Sequence, residues 1–144
     1  MNFKIIKYQS KEYEQMINLR TEVLRKPLGL VYTEEQLAMD KEDILIGCFE
    51  NENTNLVACC ILTIKNEDTM KLRQMAVAND LQGQGIGSKL ISFTEKVAKE
   101  AGYNKIELHA RKYAEGFYQK LGYSVVGDEF YEVNIPHFKM EKFI

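Results

Sequence analysis

The chain has 144 residues, of which 45% are hydrophobic, and this suits a single globular domain with one core. Its 19 Lys and Arg residues are balanced by 21 Asp and Glu residues and form no long basic run, so we expect no nucleic-acid partner. No apolar stretch reaches the length of a membrane span or a signal-peptide core. We therefore expect a cytoplasmic protein with no membrane partner.

The first third of the chain predicts one strand and a helical region. Residues 3–8 are typical of a strand. Ser10 is a suitable N-cap for the following helix, whose approximate apolar stripe ends before Pro27. The segment 26–36 is expected to interrupt this helix, and within it residues 33–36 fit a capping box that begins a second, short helix.

The middle of the chain predicts three strands that lead into a glycine-rich segment. Two apolar runs at 44–50 and 56–64 flank the turn-rich link 51–55, a pattern that indicates a hairpin of central strands. A third strand at 70–77 delivers the chain to the sequence QGQGIGS at 82–88.

The cysteines and histidines do not form a metal-binding pattern. Cys48, Cys59 and Cys60 are odd in number, lie inside apolar runs and lack CxxC spacing, which favours reduced core thiols over a metal or redox site. His109 and His137 belong to no HExxH motif. We expect no bound metal.

After the glycines the hydrophobic period becomes helical. Apolar residues mark one side of a helix over 86–101, Gly102 follows at the expected C-cap, and the charged side, which includes Glu95, is expected to be solvated. The remaining pattern predicts a strand, a short helix and two further strands at 104–110, 113–121, 123–127 and 136–143. These elements predict a mixed α/β domain around one sheet that occupies residues 1–144.

A strand that turns through glycines into a helix is suited to holding an anion. The first turn of a helix leaves backbone N–H groups without intrahelical partners, and their dipoles favour a phosphate in front of them. A Walker A loop fails here because Lys89 is followed by Leu90 rather than Ser or Thr. A GxGxxG dinucleotide motif would need its third glycine at Ser88 or Leu90, and the antiparallel strands expected upstream do not suit that fold.

A third phosphate-binding pattern fits. Gln82, Gly85 and Gly87 spell QxxGxG between a strand and a helix, which resembles the pyrophosphate-binding motif of the GCN5-related N-acetyltransferases, the GNAT family. The later segment AEGFYQKLGY at 114–123 resembles the A-x-x-x-Y-x-x-x-G-[FY] signature of the same family. The segments LRTEVLRKPLG and YEVNIPHFKM also resemble the ElaA-like branch of these proteins.

The resemblance implies a fold and a reaction. It implies a central, mostly antiparallel sheet with splayed central strands, flanked by helices. It implies transfer of an acetyl group from acetyl-CoA to a primary amine by direct nucleophilic attack. A non-catalytic acyl-CoA sensor or interaction module with the same fold stays open as an alternative.

The resemblance also implies the contacts to acetyl-CoA. Backbone amides of the glycine-rich loop would cradle the pyrophosphate. Main-chain groups of the preceding strand would pair with the pantetheine arm, and one amide there would polarise the thioester carbonyl. The implied residues are Met75, Ala76, Val77, Gln82, Gly83, Gln84, Gly85, Ile86, Gly87 and Ser88.

Two side chains are the implied catalytic groups. Tyr118 matches the tyrosine that protonates the leaving thiolate in many GNAT proteins, although its helical spacing also suits a core aromatic. A primary amine must lose a proton before it attacks. His137, His109 and Glu132 are the candidate bases, and for both histidines a structural hydrogen bond is the competing interpretation.

Other expectations concern charges and assembly. Arg111 stands where many relatives have an asparagine, so it either contacts CoA phosphates or leaves that contact to others. Arg20 and Arg25 are either solvated helix charges or, from their place beside KPLG, part of a substrate-pocket wall or a contact for an anion. The last strand, near 137–143, is expected to be an exposed edge that supports a homodimer. The acceptor amine is not identified.

Overall fold

A computed structural model describes residues 1–50, 52 and 54–144. Its strands are β1 Asn2–Ile6, β2 Ile44–Glu50, β3 Asn55–Ile64, β4 Thr69–Val77, β5 Lys105–Arg111, β6 Ser124–Val125, β7 Phe130–Glu132 and β8 Ile135–Phe143. Its α-helices are α1 Lys11–Arg20, α2 Glu34–Ala38, α3 Ile86–Glu100 and α4 Glu115–Lys120. In the described part of the chain no helix is long and apolar enough to cross a membrane.

The strands form one mixed sheet with the order β1-β2-β3-β4-β5-β8-β6, and β7 also pairs with β8. The pairing is antiparallel except between β4 and β5, which are parallel and joined through α3. The predicted fold, a mostly antiparallel sheet flanked by helices, is confirmed. The expectation that residues near 137–143 form an exposed edge is wrong, because β8 lies between β5 on one side and β6 and β7 on the other.

The sheet is splayed at its centre. β4 pairs with β5 only from Thr69 to Leu72, although both strands continue well beyond that point. On its other side β4 carries a bulge, where Gln74 and Met75 lie opposite the single residue Cys60 of β3. Gln74 has a φ of 55°, which lies in the left-handed region. This backbone conformation is energetically unfavourable for a residue that has a Cβ atom, and it is typical of bulges near functional sites. The bulge turns the end of β4 away from β5.

Helices cover both faces of the sheet. α1 packs against β3 and β4 on one face, where Tyr13 and Met16 join a core cluster with Phe49. α3 packs against β2, β3 and β4 on the other face, where Leu90 and Ile91 join the larger cluster. This double cover explains why β3 is buried continuously from residue 56 to 62. Cys48, Cys59 and Cys60 are fully buried free thiols in these clusters, as predicted.

The N-terminal region follows its predicted caps. The Ser10 side chain accepts a hydrogen bond from the Tyr13 amide at 3.2 Å, and α1 then continues through a π-helical turn, residues 21–25, and a 3₁₀ turn that contains Pro27. Thr33 and Gln36 form the predicted capping box of α2. Part of the predicted turn at 51–55 lies outside the described residues, but β2 and β3 pair as the expected hairpin.

The C-terminal region contains a hairpin that the sequence pattern did not predict. The expected strand at 123–127 is reduced to Ser124–Val125, and β7 and β8 are joined by Val133 and Asn134. Both turn residues have positive φ, 47° and 61°. Such turns normally carry Asn and Gly, so a valine gave no turn signal.

Candidate active site

A cavity of about 500 Å³ occupies the gap between β4 and β5. Its floor is the bulged end of β4, one wall is the segment after α1, and the other walls come from β5, α4 and the β7–β8 hairpin. The lining residues are Val23, Leu24, Arg25, Leu28, Leu72, Arg73, Gln74, Met75, Ala76, Val77, Gln82, Leu108, His109, Arg111, Tyr113, Ala114, Phe117, Tyr118, Glu132, Val133 and His137. The splay of the sheet therefore creates a site rather than a packing defect.

Tyr118 lines this cavity from α4. Its hydroxyl lies 3.5 Å from the Met75 sulfur on the bulge, and its ring packs edge-on against Phe117 at 5.0 Å between centroids. Burial raises the pKa of Tyr118 well above its ordinary value, and nearby Cys60 and Tyr113 add to the effect. Tyr118 therefore keeps its proton at neutral pH and is able to act only as a proton donor.

The glycine-rich loop lies where β4 ends and α3 begins. Gly83 and Gly85 have φ of 81° and 84°, conformations that residues with a Cβ rarely adopt, and Gly85 is the N-cap of α3. The first intrahelical bond is donated by Lys89 to Gly85 at 3.2 Å, so the amides of 86–88 have no intrahelical partner. These free amides and the helix dipole are chemically suited to an anion in front of this end of α3.

Gly87 has a different role from the other two glycines. A Cβ placed there would lie 3.1 Å from the Met75 methyl group and 3.3 Å from the Phe117 ring. Gly87 thus lets α3 approach the bulge and α4 closely. The Gln82 side chain donates to the Val77 carbonyl at 3.0 Å, so it fastens the loop to the end of β4.

Two histidines face the cavity from neighbouring strands. In the register of β5 and β8, Arg111 pairs with His137, which places His109 on the same face of the sheet. His109 Nδ1 lies 3.0 Å from a Glu132 carboxylate oxygen. His137 is 6% exposed, and its Nδ1 lies 2.8 Å from the Ile135 carbonyl oxygen. Because a carbonyl only accepts, Nδ1 carries the proton, and Nε2 of neutral His137 has a free lone pair.

The two arginines of the first helical region differ in environment. Arg20 is 1% exposed and donates to Asp40 at 2.9 Å, and Asp40 also accepts from the Tyr13 hydroxyl at 2.7 Å. The interpretation of Arg20 as a solvated charge or pocket wall is therefore wrong: it is a buried structural cation. Arg25 is half-buried and lines the cavity, in agreement with the pocket-wall alternative.

Glu95 was expected to be a solvated surface charge, but it forms tertiary contacts. Its carboxylate accepts from the Tyr123 hydroxyl at 2.9 Å and from Lys142 at 3.0 Å, so it ties α3 to β8. The expectation of a solvated Glu95 is wrong because the fold brings Tyr123 and Lys142 against its carboxylate, which is only 17% exposed.

Most of the predicted site residues come together at the cavity. Met75, Ala76, Val77, Gln82, Arg111, Tyr118 and His137 line it. Gly83, Gln84, Gly85, Ile86, Gly87 and Ser88 do not line it. They form the loop and first helical turn beside it, and Ile86 is 5% exposed with its side chain in the core, which leaves its backbone amide for a ligand.

Several lining residues were not predicted. Val23, Leu24 and Leu28 form the apolar wall after α1, and Gln74 provides the bulge. The apolar wall residues lie within the segment that resembles ElaA-like proteins, which was the available signal. No sequence signal marks Gln74, because a bulge depends on how two strands pair.

In the described residues no three His, Cys, Asp or Glu side chains are grouped to hold a metal ion. The cavity is lined by tyrosines, histidines and arginines, and the N-terminus of α3 lies beside it. A splayed mixed sheet with these groups beside the gap is the architecture of an acyltransferase fold. The family model described as acetyltransferase (GNAT) domain matches residues 9–144, and the chain belongs to this family. The predicted family is confirmed.

Known proteins share parts of this arrangement. The Bacillus subtilis protein YyaT is 40% identical over 74 residues, which are 51% of this chain and 50% of YyaT, so the match spans about half the length of that relative. The structure of Escherichia coli ElaA superposes with a TM-score of 0.83 at 19% identity and 98% coverage of both chains. An aminoglycoside 6'-N-acetyltransferase complexed with coenzyme A superposes with a TM-score of 0.81 at 17% identity, covering 99% of this chain and 97% of that one. At these identities the two structures show the fold alone.

Proposed function

We propose that the protein transfers the acetyl group of acetyl-CoA to a primary amine by direct attack. The observation that carries the proposal is that the unpaired N-terminus of α3 lies beside the cavity in the gap between β4 and β5, and that Tyr118 lines this cavity. Membership of the acetyltransferase family and the coenzyme A complex of a structural relative support acetyl-CoA as the donor.

In this proposal the cofactor spans the loop and the gap. The pyrophosphate meets the backbone amides of 82–88, and Arg111, which has no carboxylate partner in the described part of the chain, is near enough to the cavity to meet cofactor phosphates. The pantetheine arm follows residues 75–77 in the place where β4 has no strand partner on the β5 side. A backbone amide of the bulge then donates to the thioester oxygen, which is worth about 3 kcal/mol in other acyl transfers.

The reaction needs two proton transfers. The amine nitrogen attacks the thioester carbon, the carbon–oxygen electrons collect on the oxygen, and the carbon–sulfur bond then breaks. Tyr118 is protonated at neutral pH because burial raises its pKa, and its hydroxyl donates to the sulfur and yields the proton as negative charge builds there. His137 Nε2 accepts the proton lost by the amine, directly or through water, because Nδ1 is committed to Ile135.

A pair of serine variants tests the cofactor site. Ser88 lies in the first turn of α3 and Ser92 lies one turn later on an exposed position. Ser88→Asp supplies the negative charge that the helix N-terminus favours, so we expect unchanged or higher stability of the free protein but about tenfold weaker acetyl-CoA binding. Ser92→Asp adds the same charge away from the phosphate site and should bind normally.

The measurement is isothermal titration with acetyl-CoA, followed by a screen of amines for release of free CoA thiol. Equal affinity of both variants would contradict the proposed phosphate site. Tight binding with no thiol release from any amine would instead support the non-catalytic acyl-CoA sensor.

A further inference from the structure

The cavity is lined by more positively charged side chains than negatively charged ones. Arg73 is held by Asp43 at 3.4 Å and by Thr63 at 3.1 Å, and Glu132 lies against His109. In the described part of the chain Glu132 is the only carboxylate that lines the cavity. Arg25 has no ion-pair partner among the described residues.

Arg25 enters the cavity on the side away from the proposed cofactor phosphates. Val23 and Leu24, its neighbours in the chain, pack against the core cluster on the α1 face of the sheet, whereas Ile86 in the first turn of α3 belongs to the cluster on the opposite face. The Arg25 guanidinium is therefore placed for the second substrate rather than for the phosphates of CoA.

The fold holds Arg25 in place before any ligand arrives. Its guanidinium carbon lies 4.4 Å from the centroid of the Tyr32 ring, and the same ring lies 4.6 Å from the buried guanidinium of Arg20. The Tyr32 hydroxyl is tied to Gln74 at 2.5 Å, and the Leu30 amide donates to the Arg25 carbonyl at 2.9 Å. A guanidinium stacked on a ring loses little entropy when it binds a planar anion.

The nearby acids are engaged elsewhere. Asp40 is bound by Arg20 and Tyr13, and Glu22 is paired with Lys26 at 3.3 Å. A half-buried arginine with no acid partner leaves part of its bonding capacity to a ligand.

We propose that the acceptor amine also bears a carboxylate, which the Arg25 guanidinium binds in a two-point contact. This inference rests on the proposed acetyltransferase function and names its substrate class as small amino-carboxylates such as amino acids or short peptides. A polycationic amine is disfavoured, because the only lining carboxylate of the described residues is already bound to His109.

The test uses matched ligands and variants. Amino acids of aliphatic, aromatic, acidic and basic types, and dipeptides, are compared with their carboxamides, which keep the amine and lose the negative charge. Binding to the CoA-loaded protein is measured by titration calorimetry, and turnover by thiol release from acetyl-CoA. The variants are Arg25→Gln, Arg25→Lys and the control Lys41→Gln, which removes a positive charge from an exposed residue outside the cavity that has no ion-pair partner among the described residues.

We expect at least one carboxylate ligand to bind ten or more times more tightly than its carboxamide. Arg25→Gln should abolish this preference, Arg25→Lys should keep part of it, and Lys41→Gln should keep all of it. In turnover the loss should be a raised KM for the amino-carboxylate with little change in kcat, and melting temperatures confirm that each variant is folded.

The outcomes separate this inference from the proposed function. Transfer to amines without a carboxylate preference, or with a preference that Arg25→Gln retains, overturns the inference and leaves acetyl transfer standing. If carboxylate-selective binding depends on Arg25 but no amine causes release of CoA thiol, the inference is supported and the proposed reaction is contradicted. Failure of every carboxylate to bind, with no transfer, overturns both.

Discussion

The Tyr32 hydroxyl donates a 2.5 Å hydrogen bond to the side-chain oxygen of Gln74, 42 positions further along the chain. Gln74 is the residue of the β4 bulge with positive φ, and Tyr32 lies in the link between α1 and α2. This bond joins the wall of the cavity after α1 to its floor. The bulge is therefore supported from outside the sheet as well as by strand pairing.

Tyr32→Phe should weaken that support. The change removes the donor and leaves the partly buried Gln74 oxygen unpaired, which should lower the free energy of unfolding by about 1 kcal/mol. Urea denaturation measures the change, with Tyr131→Phe as the control because Tyr131 is 69% exposed. Equal denaturation midpoints for Tyr32→Phe and wild type would show that the bond contributes nothing to stability.

Tyr118→Phe should slow the reaction without weakening cofactor binding. Loss of a positioned general acid typically reduces kcat by about a hundredfold or more. Because the pKa of Tyr118 is raised by burial, its ionisation should cause no fall in the wild-type rate up to at least about pH 10. Steady-state rates across pH and calorimetric binding of acetyl-CoA measure both effects.

The matched control is Tyr113→Phe, since Tyr113 lines the same cavity but is 81% exposed. An unchanged kcat for Tyr118→Phe would remove the proton-donor role and return Tyr118 to a packing role.

His137→Asn should separate the two nitrogens of the imidazole. The asparagine amide is able to replace Nδ1–H as donor to the Ile135 carbonyl, so the hairpin should remain folded, but nothing replaces Nε2. We expect kcat to fall about a hundredfold at neutral pH and to recover partly as pH rises, because more of the amine is then already unprotonated.

The comparison variant is His109→Asn, which alters the imidazole bound to Glu132. A larger loss in His109→Asn than in His137→Asn would assign the base to His109 instead.

Glu107→Gln should show how the sheet loses stability in acid. Burial raises the pKa of Glu107, but the ammonium of Lys65, helped by Lys139, outweighs burial and holds the pKa below its ordinary value. A depressed carboxyl pKa stabilises the fold above the unfolded-state value, and this contribution is lost as pH falls through the folded-state value.

The variant should therefore be less stable than wild type by about 1 kcal/mol at pH 7, with the difference shrinking below about pH 4. Denaturation at several pH values measures this, with exposed Glu67→Gln as the control. A difference that is constant down to pH 3 would contradict the ion-pair explanation.

The three cysteines should not react with thiol reagents in the native protein. Cys48, Cys59 and Cys60 are fully buried, and burial raises the pKa of all three thiols, that of Cys60 to about 12. Ellman's reagent should therefore label none of them in buffer and all of them in denaturant. Rapid labelling under native conditions would indicate that the sheet opens and exposes these thiols. If no labelling occurs, the protein's own thiols add little background to assays of CoA thiol release.

Local features of this protein were predictable because they depend on neighbours in the chain. The Ser10 cap, the capping box at Thr33 and the strand–glycine–helix segment at 82–88 all follow from contacts a few residues apart. The repeated glycines and the later tyrosine motif were sufficient to indicate the family. The β7–β8 turn was not predicted because Val133 adopts a backbone conformation that its residue type disfavours.

What the sequence alone determined was most of the helices and strands, the strand–glycine–helix segment and the family. Tertiary structure decided the rest: β8 inside the sheet rather than at its edge, Arg20 buried on Asp40, Glu95 bound to β8, and Arg25 left without an acid partner. The physical reason is that spatial strand order and charge pairing depend on which distant segments meet. Local propensity does not specify those meetings, because a buried charge is satisfied only by the partner that the whole fold brings to it.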